Sequence, residues 1–187
     1  MQHAWATAVE TMGTYLGQAL KSGQGDNEWK AFFQTASASL AGLELTPTIP
    51  GFEGQSQAQI HQTLALQEKE LRVLDKLKGF AVATDKIHQT RGQGSYHLII
   101  LNSAEKTVEL RPYPISRLEE ANRDYAAIET RAKSGEPLEA VLVSAGPIEA
   151  LKKAYPNYFL DTEVFIAQIE DIVRNAASKT ISGRVKT

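Results

Sequence analysis

The sequence predicts an α+β fold, with N-terminal helices followed by a small three-stranded sheet, a hairpin plus one strand, covered by helices. Three observations predict it. Apolar residues recur every three or four positions over 3–22 and again over 56–78, the period of a half-buried helix. At RGQGS, 91–95, the pattern changes to short compact or alternating runs at 96–102, 108–114 and 139–146. Helical periods return between and after these runs, so the sheet is small and the helices must cover it.

The first helix spans about 3–22 and carries Trp5, Ala8, Val9, Met12, Tyr15, Leu16, Ala19 and Leu20 on one stripe. SGQGD stops it, and Asp26 or Asn27 is placed to cap a second helix through Trp29, Phe32, Phe33, Ala36 and Leu40. Two such helices joined by a short polar turn suggest an antiparallel pair over 1–45. TPTIPGFEGQSQ holds two prolines and two glycines, and 46–55 reads as a linker.

A long helix then covers 56–78. Ile60, Leu64, Leu71 and Leu74 form one stripe, and Leu66, Val73, Leu77 and Phe80 a neighbouring one. YHLIILN and VELRPYP flank the turn SAEKT as a hairpin. Pro112 and Pro114 end the second strand or place it at an edge. A helix with Leu118, Ala121, Tyr125 and Ile128 follows, then the strand EAVLVSAG, then a helix in PIEALKKAYP. The last helix begins near Asp161 or Thr162. A long helix plus a small α+β lobe thus occupies 56–178, and a polar, basic, flexible tail 179–187.

With 187 residues the chain can bury a real core. A formal net charge of −2 gives no general attraction to nucleic acid or to an acidic membrane. Without cysteine there is no disulfide, thiolate nucleophile or cysteine-held zinc, and a reducing cytoplasm is the expected compartment. No apolar run reaches the roughly 18–20 residues needed to span a bilayer, and the start lacks the features of a signal peptide.

The sequence holds no GxxxxGK[ST] phosphate loop and no HExxH. RGQGS precedes a strand rather than a helix, so it reads as a plain connection. His3, His61, His88 and His97 are scattered, and no metal site is expected. Glu119, Glu120, Asp124 and Glu129 read as a solvated helix face. In YPNYFLDT, Tyr155 and Tyr158 either stack on a planar ligand or plug the edge of the sheet; the plug is preferred. His3, Thr7 and Glu10 lie one turn apart, so they could face a polar ligand, while Trp5 could equally be the core anchor of its helix.

QHAWATAVE, followed by ALKSGQGDNEWKAFF at 19–33, resembles proteins with a RelA/SpoT-type synthetase domain. YHLIILN, RLEEANRDYAAIE at 117–129 and AVLVSAGPIEALKKAYPNYFLDTEVF at 140–165 continue the likeness in order over nearly the whole chain. That family transfers pyrophosphate from ATP to the 3′ hydroxyl of GDP or GTP, making (p)ppGpp. The chemistry needs cationic clamps, magnesium and a base for the attacking hydroxyl. In the family these groups come from strands that lead into the QHAWAT helix, ending in a pattern like E-x-Q-I-R-T.

The resemblance therefore implies a non-catalytic C-terminal portion with a regulatory or structural role in (p)ppGpp metabolism. It implies no catalytic residue and no metal ligand here, and no cofactor held by this chain; magnesium, ATP and GDP serve the family. By resemblance His3, Trp5 and Glu10 line or support the acceptor-nucleotide wall. The first helix is then expected to lean on a synthetase sheet, leaving Trp5, Val9 and Met12 to be covered by the second helix or by a partner. The partner would be a second copy or a synthetase-domain protein. Two alternatives are a stand-alone module that binds such a synthetase, and a small-molecule binder using the space between the sheet and helix 117–130.

Overall fold

A computed structural model describes residues 2–89, 94–155 and 157–184. Seven α-helices are described, α1 (Gln2–Leu16), α2 (Asn27–Leu43), α3 (Gln57–Leu71), α4 (Val73–Gln89), α5 (Leu118–Lys133), α6 (Ala145–Ala154) and α7 (Tyr158–Arg184). The strands β1 (Tyr96–Asn102), β2 (Thr107–Tyr113) and β3 (Leu138–Ser144) form one antiparallel sheet in the order β2-β1-β3. The fold is α+β, as the sequence predicts. Among the described residues no helix is long and apolar enough to cross a membrane.

β1 is the central strand, with Ile99 opposite both Leu110 and Val141. This explains why Leu98–Leu101 at the centre of YHLIILN are apolar without a break: a central strand covered on both faces favours apolar residues on each. Ile99 and Leu101 join Val108, Leu110, Val141 and Val143 in the main core. Leu98 and Ile100 face the other way, into a second core with Tyr113, Ala121 and Ile128. Helix α5 packs on that face. β2 lies at an edge, where Pro112 removes no hydrogen bond from a further strand.

Helix α1 does not wait for an external sheet. It packs against α7, α4, α6 and β3 of its own chain. Val9 and Met12 are fully buried there, and Trp5 packs at the margin. One core runs without interruption from α1 and α2 through α3, α4, α6 and α7, so packing does not divide 1–45 from 56–178.

Several boundaries differ from the sequence reading. Helix α1 stops at Leu16, because Gly17 takes φ +66 and the chain reverses with Gln18 N–H donating to Gly13 O at 2.8 Å and Gly17 N–H to Thr14 O at 3.4 Å. A 3-10 turn at Leu20–Ser22 follows. Asp26 occupies the N-cap position of α2 without capping it; its carboxylate instead accepts from Gln18 Nε2 at 2.6 Å.

The long helix is two helices, broken at Arg72, whose φ of 52° and ψ of 44° are left-handed. Leu66 is 65% exposed rather than part of a buried stripe, since α3 turns only the Ile60–Leu64–Leu71 face inward. Helix α7 begins at Tyr158, not at Asp161 or Thr162, and runs to Arg184. Thr162 Oγ1 donates back to Tyr158 O at 2.7 Å, a bond made inside a helix rather than at a cap. Arg91, Gly92 and Gln93 of RGQGS lie outside the described residues. Ser95 is tied to the end of β2 and the start of α6, with Ser95 N–H donating to Tyr113 O and Ser95 O accepting from Ala145 N–H, each at 3.0 Å.

Candidate functional site on the first helix

The Schellman-type reversal after α1 places the Leu20–Ser22 turn beside α1 and ahead of α2. A groove opens on each side of Lys21. The larger, about 550 Å³, lies between α1 and α2 and is bounded by Trp5, Val9, Lys30 and Phe33. The smaller, about 310 Å³, lies toward Glu10, Gly13 and Gln18. Val9, Leu20 and Lys21 border both.

Trp5 is half-buried, and its indole Nε1–H donates to Phe33 O at 3.0 Å. One ring edge is thereby fixed while the groove side stays accessible. Glu10 is half-buried, with Oε2 3.9 Å from Lys21 Nζ. Lys21 donates to the Tyr155 hydroxyl at 2.5 Å and also sits 5.2 Å from the centre of that ring. The hydroxyl that accepts this bond, with Glu10 adding to it, raises the Lys21 pKa above its ordinary value. The arrangement offers ammonium groups on Lys21 and Lys30, one carboxylate, and an apolar and aromatic wall. It suits an anionic group carried on a planar or apolar body.

Of the residues expected to form a site, Trp5 borders the larger groove and Glu10 the smaller, and Lys21 borders both. His3 is exposed in the first turn of α1 and borders neither groove. The row His3–Thr7–Glu10 is interrupted, because Thr7 is fully buried with its Oγ1 3.4 Å from Asp161 Oδ2 on α7. Lys21 and Lys30 were missed, and Tyr155 was read with Tyr158 rather than with Lys21. No sequence signal connects Lys21 with Tyr155, which lies 134 positions away.

Tyr155 and Tyr158 do not share a stacking surface. Tyr158 is 2% exposed, with its hydroxyl near Thr11 of α1, Thr84 of α4 and Thr162 of α7. Burial pushes its hydroxyl up to about 12, with bonds to Thr84, Thr11 and Thr162 opposing that rise. The histidines also stay apart: His97 is buried, which lowers its pKa, whereas His3 is exposed and the side chain of His88 lies outside the described residues. Among the described residues no three His, Asp or Glu side chains are grouped to hold a metal. The acidic face of α5 is partly paired rather than simply solvated. Asp124 accepts from the Tyr113 hydroxyl at 2.5 Å, and Glu120 bonds Arg117.

No family model matches the chain, and no curated protein matches it.

Proposed function

We propose that this chain is the non-catalytic C-terminal portion of a RelA/SpoT-type synthetase, holding the helix that backs the acceptor nucleotide. The ordered run of QHAWATAVE, ALKSGQGDNEWKAFF, RLEEANRDYAAIE and AYPNYFLDTEVF carries this reading. The geometry of α1 supports it. A wall for a nucleotide must be rigid behind and accessible in front. Ala4, Ala8, Val9 and Met12 anchor the back of α1 in the core, while the groove side of Trp5 and the whole of His3 remain open to solvent. The Lys21 and Lys30 ammonium groups add an anion-attracting field to that same side.

The role of the chain is then structural or regulatory: it presents α1 and adds an α+β lobe behind it. Magnesium and ATP would be handled by catalytic strands of the family type. The test is an assay of the purified chain with ATP, GDP and magnesium, with tryptophan fluorescence followed as GDP is added. No pyrophosphate transfer and a GDP-dependent change that Trp5→Phe abolishes are expected. Transfer by the chain alone would overturn the non-catalytic assignment, and indifference of the Trp5 signal to GDP would overturn the nucleotide wall.

A second reading is a module that binds a partner such as a full synthetase. Its first motive, an uncovered α1 stripe, is gone because that stripe is buried in-chain. What favours it now is on α7, where Leu160 and Val164 are 61% and 37% exposed one turn apart.

A further inference from the structure

The break between α3 and α4 is unusual for its sequence. From Gln57 to Lys78 there is no glycine and no proline, and helical periodicity continues through the break. One residue makes it, and that residue is an arginine in the left-handed region, which glycine would occupy without strain.

The hydrogen bonds around Arg72 show how the break is held. Helical bonds run up to the break on each side: Arg72 N–H donates to Glu68 O at 2.7 Å, the last bond of α3, and Lys76 N–H to Arg72 O at 3.2 Å, the first of α4. A continuous helix would pair Leu74 N–H with the Glu70 carbonyl, and Asp75 N–H with the Leu71 carbonyl. Here a side chain takes up one member of each pair. The Glu68 carboxylate accepts from Leu74 N–H at 3.2 and 3.4 Å, and Lys76 Nζ donates to Leu71 O at 2.5 Å. Glu139 on β3 holds the corner from outside, 2.9 Å from Lys76 and 3.8 Å from Arg72. In the bent form side chains thus take up one amide and one carbonyl freed at the corner, and a straight helix would pair both within the backbone.

Straightening would carry α1, α2 and α3 away from the body of the fold. Both α1 and α3 pack on α7, and that surface is apolar, with Phe165, Ile166, Ile169 and Ile172 buried. It cannot stay bare in water. The occupant that matches it side chain for side chain is the same helical unit from another copy.

We infer that Arg72 is the hinge of a domain-swapped dimer, in which α3 and α4 join as one helix over 57–89 and residues up to 71 of each copy pack on α4–α7 of the other. Every buried contact away from the hinge is kept, so the balance is set by the hinge and by chain concentration. The hinge does not depend on the functional reading above.

The test uses the full chain, which has no cysteine of its own. One set of chains carries Thr7→Cys and another Asp161→Cys, positions whose oxygens lie 3.4 Å apart between α1 and α7. The two sets are mixed, refolded together and oxidised. A covalent mixed dimer forms only if α1 of one copy lies on α7 of the other. Arg72→Ala removes the ties to Asp75 and Glu139 and favours helix; it should raise the dimer-to-monomer ratio about tenfold in light scattering and give the cross-link. Arg72→Gly relieves the left-handed strain and should remain monomeric without it. Lys76→Gln, which frees the Leu71 carbonyl, gives a second dimer-favouring variant should Arg72→Ala not fold by circular dichroism. Monomers throughout, or a cross-link as strong in Arg72→Gly as in Arg72→Ala, would overturn the hinge.

Discussion

Trp5 on α1 donates its indole Nε1–H to the main-chain carbonyl of Phe33 on α2, at 3.0 Å across 28 positions. This bond joins the first two helices and orients the aromatic wall of the larger groove. Phenylalanine keeps most of the ring and loses the donor. Trp5→Phe should therefore cost about 1 kcal/mol, read from the midpoint of urea unfolding. An unchanged midpoint would mean that water replaces the indole without loss.

Gly13 sits where the chain folds back on α1. A Cβ built there would lie 2.6 Å from the Gln18 main-chain oxygen. Alanine in a helix interior ordinarily gains up to about 1 kcal/mol over glycine. Here the obstacle is backbone, which cannot rotate away, so the clash outweighs the gain. Gly13→Ala should destabilise the chain by about 1–3 kcal/mol in thermal or urea unfolding. It should also displace the Leu20–Ser22 turn, visible as changed amide shifts at Lys21. A stabilised Gly13→Ala variant would show that the reversal is less tightly held than its geometry indicates.

Glu68 titrates in an unusual range. Burial pushes its carboxyl from 4.5 up to about 7, with the bonds from the Leu74 and Val73 amides pulling the other way. The folded chain thus holds the Glu68 proton more tightly than the unfolded chain does. Its contribution to stability is fully present below pH 4.5 and is lost as pH rises through about 7. Unfolding midpoints measured across that window should fall with rising pH more steeply in the parent chain than in Glu68→Gln. Equal slopes would place the pH dependence elsewhere.

Much of the fold was legible because it rests on local pattern. The alternation in VELRPYP marks a strand with one exposed face, and its prolines belong to an edge. The apolar run Leu98–Leu101 within YHLIILN marks a strand buried on both. The helix boundaries were less legible. Asp161 and Thr162 have the side chains of helix caps, yet both lie inside α7, where Asp161 meets Thr7 and Thr162 bonds its own helix. A capping residue is recognised by type, but whether it caps depends on which backbone groups are left unpaired.

The candidate site divides in the same way. Trp5 and Glu10 were singled out by the resemblance of QHAWATAVE to the synthetase family. Their link, Lys21 bonded to Tyr155, joins residues whose separation along the chain carries no pattern.

By itself the sequence determined the kinds of element and their order, since three- and four-residue periods and strand runs are local consequences of which side chains avoid water. The tertiary structure alone decided what covers α1, where the long helix breaks, and which charges meet Lys21. Those outcomes depend on distant partners: α7 and β3 supply Asp161 and Glu139, and only packing brings them to Thr7, Arg72 and Lys76. Arg72 bends because Glu68 and Lys76 can satisfy a broken backbone at one corner and Glu139 can hold it there, and no periodicity records such an arrangement.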